Sequence, residues 1–260
     1  MPFRRLFGKR RATAPRQAAA PDGLRVYAIG DVHGRLDLLT DLLGRIEADH
    51  AARDPADAHI VMLGDLIDRG PHSRGVVEYL LNQRPSFATF HFLMGNHEEG
   101  MLKSLELKAD PRETGWLQYG GRETLESYDV PEAAFAVTGW LLSDELRLYI
   151  PPEHLAFLAT FEDKLLLGDY LFVHAGIRPN VPLAKQTPAD MRWIRRDFLD
   201  DESDHGVIVV HGHSIREEPE FRPNRIGIDT GAYYSGMLTA LGLEGEERWI
   251  LATEPDEEQG

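Results

Sequence analysis

The chain has 260 residues, 42% of them hydrophobic and 27% charged, a balance that suits one sizeable soluble α/β domain. It contains no cysteine, which excludes disulfides, thiolate nucleophiles and cysteine-held zinc or iron–sulfur centres. A formal net charge of −15 argues against a general nucleic-acid surface, and no apolar run approaches the ~18 residues of a membrane span.

Residues 1–22 carry Arg4, Arg5, Lys9, Arg10, Arg11 and Arg16 and then an alanine-rich stretch, without a sustained apolar period. They read as a basic, disordered tail that could contact acidic surfaces. The apolar core of a secretory signal is missing, so a cytoplasmic location is expected. Val26–Ile29 then reads as a short buried strand running into Gly30-Asp31-Val32-His33-Gly34. Leu36, Leu39, Leu42, Leu43 and Ile46 mark the apolar face of a helix. The unit repeats twice. Ile60–Leu63 runs into Gly64-Asp65-Leu66-Ile67-Asp68-Arg69-Gly70, with a helix predicted from Pro71 through Val76, Val77, Leu80 and Leu81. Phe92–Met94 runs into Gly95-Asn96-His97-Glu98, followed by Met101, Leu102 and Leu105. Alternating strand and helix predicts an α/β fold. Residues 105–165 read as helix and loop, with a break at Gly120-Gly121 and a helix start at Pro151-Pro152. Strands dominate thereafter, over residues 165–167, 170–173, 207–210, 225–229, 237–243 and 248–252. A strand-rich end beside an alternating start predicts two packed sheets with helices outside, in one domain over residues 23–253. Residues 254–260 form an acidic tail.

The polar clusters carry the chemistry. Two more follow late strands: His174-Ala175-Gly176 and His211-Gly212-His213-Ser214. Asp, His and Asn delivered to one end of several strands gather hard-metal ligands from distant segments. Asp31 and His33, two apart, would face one point in extended geometry. The two oxygens of Asp65 could bridge two cations. Asn96 offers a neutral oxygen, and His174 and His213 offer nitrogens. Such a mixed set suits manganese, iron or zinc better than calcium or a closed structural zinc. Arg69, beside Asp68, is either half of an ion pair or a fork for phosphate oxygens. His211 either shares the face of His213 or packs structurally. Each cluster alone also reads as an ordinary turn, but five at strand ends argue against coincidence.

In this order the clusters resemble the PPP family of metal-dependent serine/threonine phosphatases, within the calcineurin-like metallophosphoesterases. The compact bacterial and phage lambda type is the nearest pattern, and Trp193-Ile194-Arg195 and Ile228-Asp229-Thr230-Gly231-Ala232 fit it too. The resemblance spans about residues 24–243. It implies a four-layer αββα sandwich of two mixed sheets flanked by helices. It implies that Asp31, His33 and Asp65 hold one divalent ion and that Asp65, Asn96, His174 and His213 hold a second, manganese before iron or zinc. It implies His97 as the general acid, oriented by Asp68, with Arg69 and Arg195 on the phosphate. The implied reaction is phosphomonoester hydrolysis by direct in-line attack of a metal-activated hydroxide, as in a bacterial serine/threonine protein phosphatase acting on a phosphoprotein or small phosphoester. Met94 departs from the pattern, because protein phosphatases carry arginine there. An apolar residue at this position resembles the symmetrical diadenosine tetraphosphate hydrolases, which are the alternative, whereas Glu98 and Asp68 resemble the protein phosphatases. A phosphate-binding module without turnover is a third reading, but it would have no use for a leaving-group acid. The leading reading predicts hydrolysis of a chromogenic aryl phosphate with added Mn²⁺ and its loss in Asp65→Asn. Full activity in chelator would contradict it.

Overall fold

Side-chain alternation along the strands builds the layers of the molecule. The computed structural model of the chain describes residues 17–106, 110–136 and 140–254. Its strands are β1 (Leu24–Ile29), β2 (Asp57–Met62), β3 (Ala88–Phe92), β4 (Lys164–Leu167), β5 (Tyr170–Val173), β6 (Ile208–His211), β7 (Glu220–Phe221), β8 (Arg225–Gly227), β9 (Thr239–Glu244) and β10 (Glu247–Ala252). They form two five-stranded sheets, ordered β10-β9-β1-β2-β3 and β4-β5-β6-β8-β7. Both are mixed: β1, β2 and β3 run parallel in the first, and β5, β6 and β8 in the second. Val26 and Ala28 of β1, Val61 of β2, Phe172 of β5 and Val210 of β6 share the core between the sheets. Tyr27, Ile29, Ile60 and Met62 point the other way, into a core shared with helices α1 (Leu36–Ala52), α2 (Ser73–Asn82) and α3 (Asn96–Glu106). Leu171, Val173 and Val209 face a third cluster on the far side, covered by α7 (Pro188–Trp193) and α8 (Arg196–Leu199). Two mixed sheets flanked by helices are the expected architecture. Between these lie α4 (Gly121–Ser127), α5 (Trp140–Arg147) and α6 (Pro152–Leu158), and α9 (Ala232–Ser235) follows β8.

Beyond shifts of one or two residues at strand ends, three features differ from expectation. Helix α2 starts at Ser73, not Pro71, because the preceding residues tie loops together: the His72 N–H donates to the Gly34 carbonyl at 2.9 Å, and the Asp68 N–H to Ser73 Oγ at 3.0 Å. The edge strand β7 has only two residues and no apolar run to reveal it. The sequence assigns residues 17–22 to the basic tail, yet Ala20 is buried and its N–H donates to the Gly245 carbonyl at 2.7 Å, while the Tyr170 hydroxyl donates to the Ala18 carbonyl. Residues 1–16 and 255–260, which hold the rest of the expected tails, lie outside the described residues.

Parallel strands send their C-terminal loops to one edge of each sheet, where ligand sites form. Backbone bonds lock these loops to one another. The Val32 and His33 N–H groups donate to the Asp65 carbonyl at 3.1 and 2.9 Å, and the Gly212 N–H to the His174 carbonyl at 2.8 Å. The approach is so close at Gly70 that an added Cβ would collide with the His33 carbonyl oxygen. Gly70→Ala is therefore expected to lower stability by about 2 kcal/mol, the usual scale of overpacking. Gly44→Ala, on the exposed face of α1 with open space around it, is expected to be neutral or slightly stabilising. Urea unfolding of both variants measures the contrast.

Candidate metal centre

Tight turns, and not extended alternation, aim the cluster side chains. Strand β1 ends at Ile29, and His33, Asp65, Asp68, Arg69 and His213 all take left-handed backbone, with φ of 45°, 50°, 74°, 68° and 62°. Such conformations cost about 1 kcal/mol or more each for a residue with a side chain. The Glu98 carboxylate offsets much of this. It is fully buried in the first turn of α3 and accepts the N–H groups of Asp65 (2.9 Å), Gly95 (3.1 Å) and Leu66 (2.7 Å). Glu98 enters the sequence reading only as a motif letter. Its role as the pin of the Asp65 loop is seen only in three dimensions.

Asp65 Oδ2 is the meeting point. It lies 3.3 Å from His174 Nε2, 3.7 Å from His33 Nε2 and 3.8 Å from His97 Nε2. His174 Nε2 is also 2.9 Å from Asn96 Oδ1 and 3.2 Å from His213 Nδ1. The ligating atoms of Asp65, His174 and His213 lie within 4.8 Å of one another, and so do those of His33, Asp65 and His97. The outer ring nitrogens fix the tautomers. His174 Nδ1 faces the Leu63 carbonyl at 2.9 Å, and His33 Nδ1 faces the Ile67 carbonyl at 2.8 Å. A carbonyl only accepts, so these nitrogens carry the protons and the Nε2 lone pairs point at the Asp65 oxygen. Lone pairs directed at a carboxylate repel unless a cation or proton lies between them. Burial holds His33 down to about 3 and His213 down to about 2, so both are neutral donors. This donor set fits divalent metal.

Asp31, in the loop after β1 of the first sheet, reaches toward the second, where its carboxylate accepts the His213 N–H at 3.1 Å. Burial raises it well above the usual carboxylate range, with Asp229 and Asp65 adding to the effect. Asp229, absent from the predicted site residues, is itself pushed up to about 6, chiefly by burial. The sequence signal for it was the same as for the others: an acid at a strand end.

The predicted acid pair is also assembled. His97 Nδ1 is 2.6 Å from Asp68 Oδ2. Burial would lower His97, but Asp65 and Asp68 outweigh it and hold the ring above its usual range. Two further donors reach Asp68 that the sequence did not single out, Trp116 and Thr124. The Arg69 guanidinium lies 3.3 Å from His97 Nε2 and 4.7 Å above the Tyr233 ring, which meets His33 edge-on. Arg195 reaches the His213 carbonyl at 3.5 Å. Two predicted ambiguities resolve. His211 shares the strand face of Val209 and packs against Phe198, away from the centre, where burial holds it near 4. Met94 lies in the apolar core beneath the helices.

Protonation relieves part of the repulsion at the centre. Burial lowers His174 but Asp65 outweighs it, so the ring sits above its usual range, as Asp31 and Asp229 do above theirs. Raised folded-state values favour the protonated fold, so that stability is present at low pH and is lost as pH rises through about 4 to 6 for Asp229, well above the usual carboxylate range for Asp31, and above 6.5 for His174. Asp65, held well below its usual value, acts only below about pH 4. Metal replaces the protons. Mn²⁺ should therefore raise the melting temperature of chelator-treated protein more at pH 7.5 than at pH 5.5. A smaller rise at pH 7.5 would contradict the arrangement.

Comparison with known proteins follows the same line. Residues 24–234 match the family model of calcineurin-like phosphoesterases. An asymmetrical bis(5'-nucleosyl)-tetraphosphatase PrpE of Anoxybacillus flavithermus is 26% identical over a 241-residue alignment that covers 82% of this chain and 88% of that protein. The solved structure of a putative diadenosine tetraphosphatase superposes with a TM-score of 0.60 at 21% identity, over 90% of this chain and 98% of that one. A cold-active protein-tyrosine phosphatase of a psychrophilic Shewanella superposes at 0.51 with 20% identity, over 90% and 83%. At these identities the two structures support the fold alone. No helix among the described residues is long and apolar enough to cross a membrane. With the family model matched over most of its length and the buried Asp/His/Asn centre in place, the chain belongs to the calcineurin-like phosphoesterase family.

Proposed function

We propose that this metallophosphoesterase hydrolyses phosphoric monoesters whose leaving group is a strongly basic alkoxide, as in phosphoserine and phosphothreonine. The observation that carries this reading is the 2.6 Å pair of His97 Nδ1 and Asp68 beside Asp65. An alkoxide leaves poorly without a proton, and a positioned acid contributes about 10²–10⁴-fold. A nucleotide leaving through its phosphate is a weak base and needs far less help.

Asp31, His33 and Asp65 would hold one divalent ion, and Asp65, Asn96, His174 and His213 the other, with manganese first and iron or zinc also suited to the donors. Such ions supply a reactive water near neutral pH and neutralise phosphate charge. The protein's own groups do the rest. Arg69 and Arg195 grip and orient the phosphate oxygens through planar, charge-assisted hydrogen bonds. Tyr233 supports Arg69 from below. His97 keeps one ring nitrogen on Asp68 and presents Nε2, beside Arg69, as the proton donor to the departing oxygen.

A second reading is hydrolysis of a bis(5'-nucleosyl) tetraphosphate. The name of a relative matched over 82% of this chain favours it, as does the apolar Met94. That name specifies asymmetrical cleavage, whereas the alternative that the motif resemblance implies is the symmetrical kind. The His97–Asp68 pair speaks against a module without turnover.

Two measurements test the proposal. Side-by-side assays should give a higher kcat/KM on a phosphothreonine peptide than on diadenosine tetraphosphate. A tenfold preference for the dinucleotide would replace the proposal with the second reading, and ATP plus AMP as products would identify asymmetrical cleavage. His97→Ala should lower turnover of phenyl phosphate by about 100-fold, within the range for a general acid, but barely affect 2,4-dinitrophenyl phosphate, whose leaving group needs no proton. Equal losses on both would remove the acid role.

A further inference from the structure

Residues 116–124, which lead into and open α4, lie against the left-handed Asp68–Arg69 turn. Trp116, Thr124 and, from α3, His97 donate to the Asp68 carboxylate. Oδ2 accepts from His97 Nδ1 at 2.6 Å and from Trp116 Nε1 at 3.0 Å; Oδ1 accepts from Thr124 Oγ1 at 2.6 Å and from the same indole N–H at 3.2 Å. The bifurcated indole bond lies across both oxygens, and the threonine bond holds one of them. Together they fix the rotation of the carboxylate. The backbone is held as well, with the Asp68 N–H on Thr124 Oγ1 at 2.9 Å and the Arg69 N–H on the Gly120 carbonyl at 3.2 Å.

The indole cannot drift. Trp116 is buried, and side chains in place of Gly100 on α3 or Gly121 on α4 would meet its ring. Packing alone would explain an aromatic residue here, and phenylalanine would serve it. The indole's single donor instead goes to the carboxylate that orients His97.

We propose that Trp116 is a positioning residue for the acid, acting through Asp68 with Thr124 as its partner. Its N–H sets the plane of the carboxylate, which in turn sets the imidazole and the line of proton delivery from Nε2. The inference rests on the acid role proposed for His97.

Trp116→Phe keeps the ring and removes the donor. Across aryl phosphates of graded leaving-group basicity, its kcat should fall about tenfold on phenyl phosphate, the scale of losing a supporting hydrogen bond behind an active group. It should stay within about twofold on 2,4-dinitrophenyl phosphate, which needs no proton. KM, bound manganese and melting temperature should be little changed. Thr124→Val should shift the profile in the same direction, and Thr124→Ser should restore it. In the His97→Ala background, Trp116→Phe should add nothing. A loss in Trp116→Phe that is equal for both leaving groups, no loss at all, or a further loss on top of His97→Ala would each overturn the proposal. If His97→Ala shows no leaving-group dependence, the acid reading falls and this inference with it. If His97→Ala shows it and Trp116→Phe does not, only the inference falls.

Discussion

The structure turns on a set of lone pairs aimed at one another. The Nε2 atoms of His174 and His33 approach Asp65 Oδ2 at 3.3 and 3.7 Å, and the Asn96 carbonyl adds a third donor beside His174. Hydrogen bonds to main-chain carbonyls fix the proton of each of His33 and His174 on the far side of the ring, so the rings cannot turn their N–H groups inward to relieve the repulsion. Positive charge must lie between them. Buried Asp31, Asp65 and Asp229 ask for the same thing, because carboxylates this close cannot all ionise out of water without a cation. A charge of −15 over the chain thus has a local counterpart at its centre.

That requirement organises the fold. Asp31, His33 and Asp65 come from loops of the first sheet, Asn96 from the start of α3 behind β3, and His174 and His213 from loops of the second sheet. An ion held by both groups would tie the sheets together at one edge, while the apolar layer between them holds the rest. The turns that bring the ligands together are left-handed and unfavourable alone. They persist because Glu98 ties one loop to α3, and because the segment carrying Trp116 and Thr124 encloses the next. The helices beyond the sheets are therefore part of the site's support as well as a cover for the core.

Much of this was legible in the chain. Short apolar runs broken by Gly-Asp, Gly-Asn-His or His-Gly mark both a buried strand and a turn able to present a ligand, so the strands and their cluster residues could be placed together. The choice between His211 and His213 needed the strand's phase. His211 alternates with Val210 and so faces the outer layer, whereas His213 has left the strand through a left-handed turn. Trp116 and Thr124 gave no signal, because their shared partner is 48 and 56 residues away and their own segment has weak periodicity. The work done by Glu98 was hidden for another reason: it is spent on backbone N–H groups, which leave no mark in sequence. Substrate choice was the least legible part, since it depends on how strongly the leaving group needs a proton and not on the ligands that identify the centre.

Sharing of Asp65 between two cations is tested most directly by anomalous diffraction from crystals grown with Mn²⁺. Two manganese peaks are expected on either side of the Asp65 carboxylate, one also touching Asp31 and His33, the other Asn96, His174 and His213. A single peak, or two peaks of which neither contacts Asp65, would contradict it.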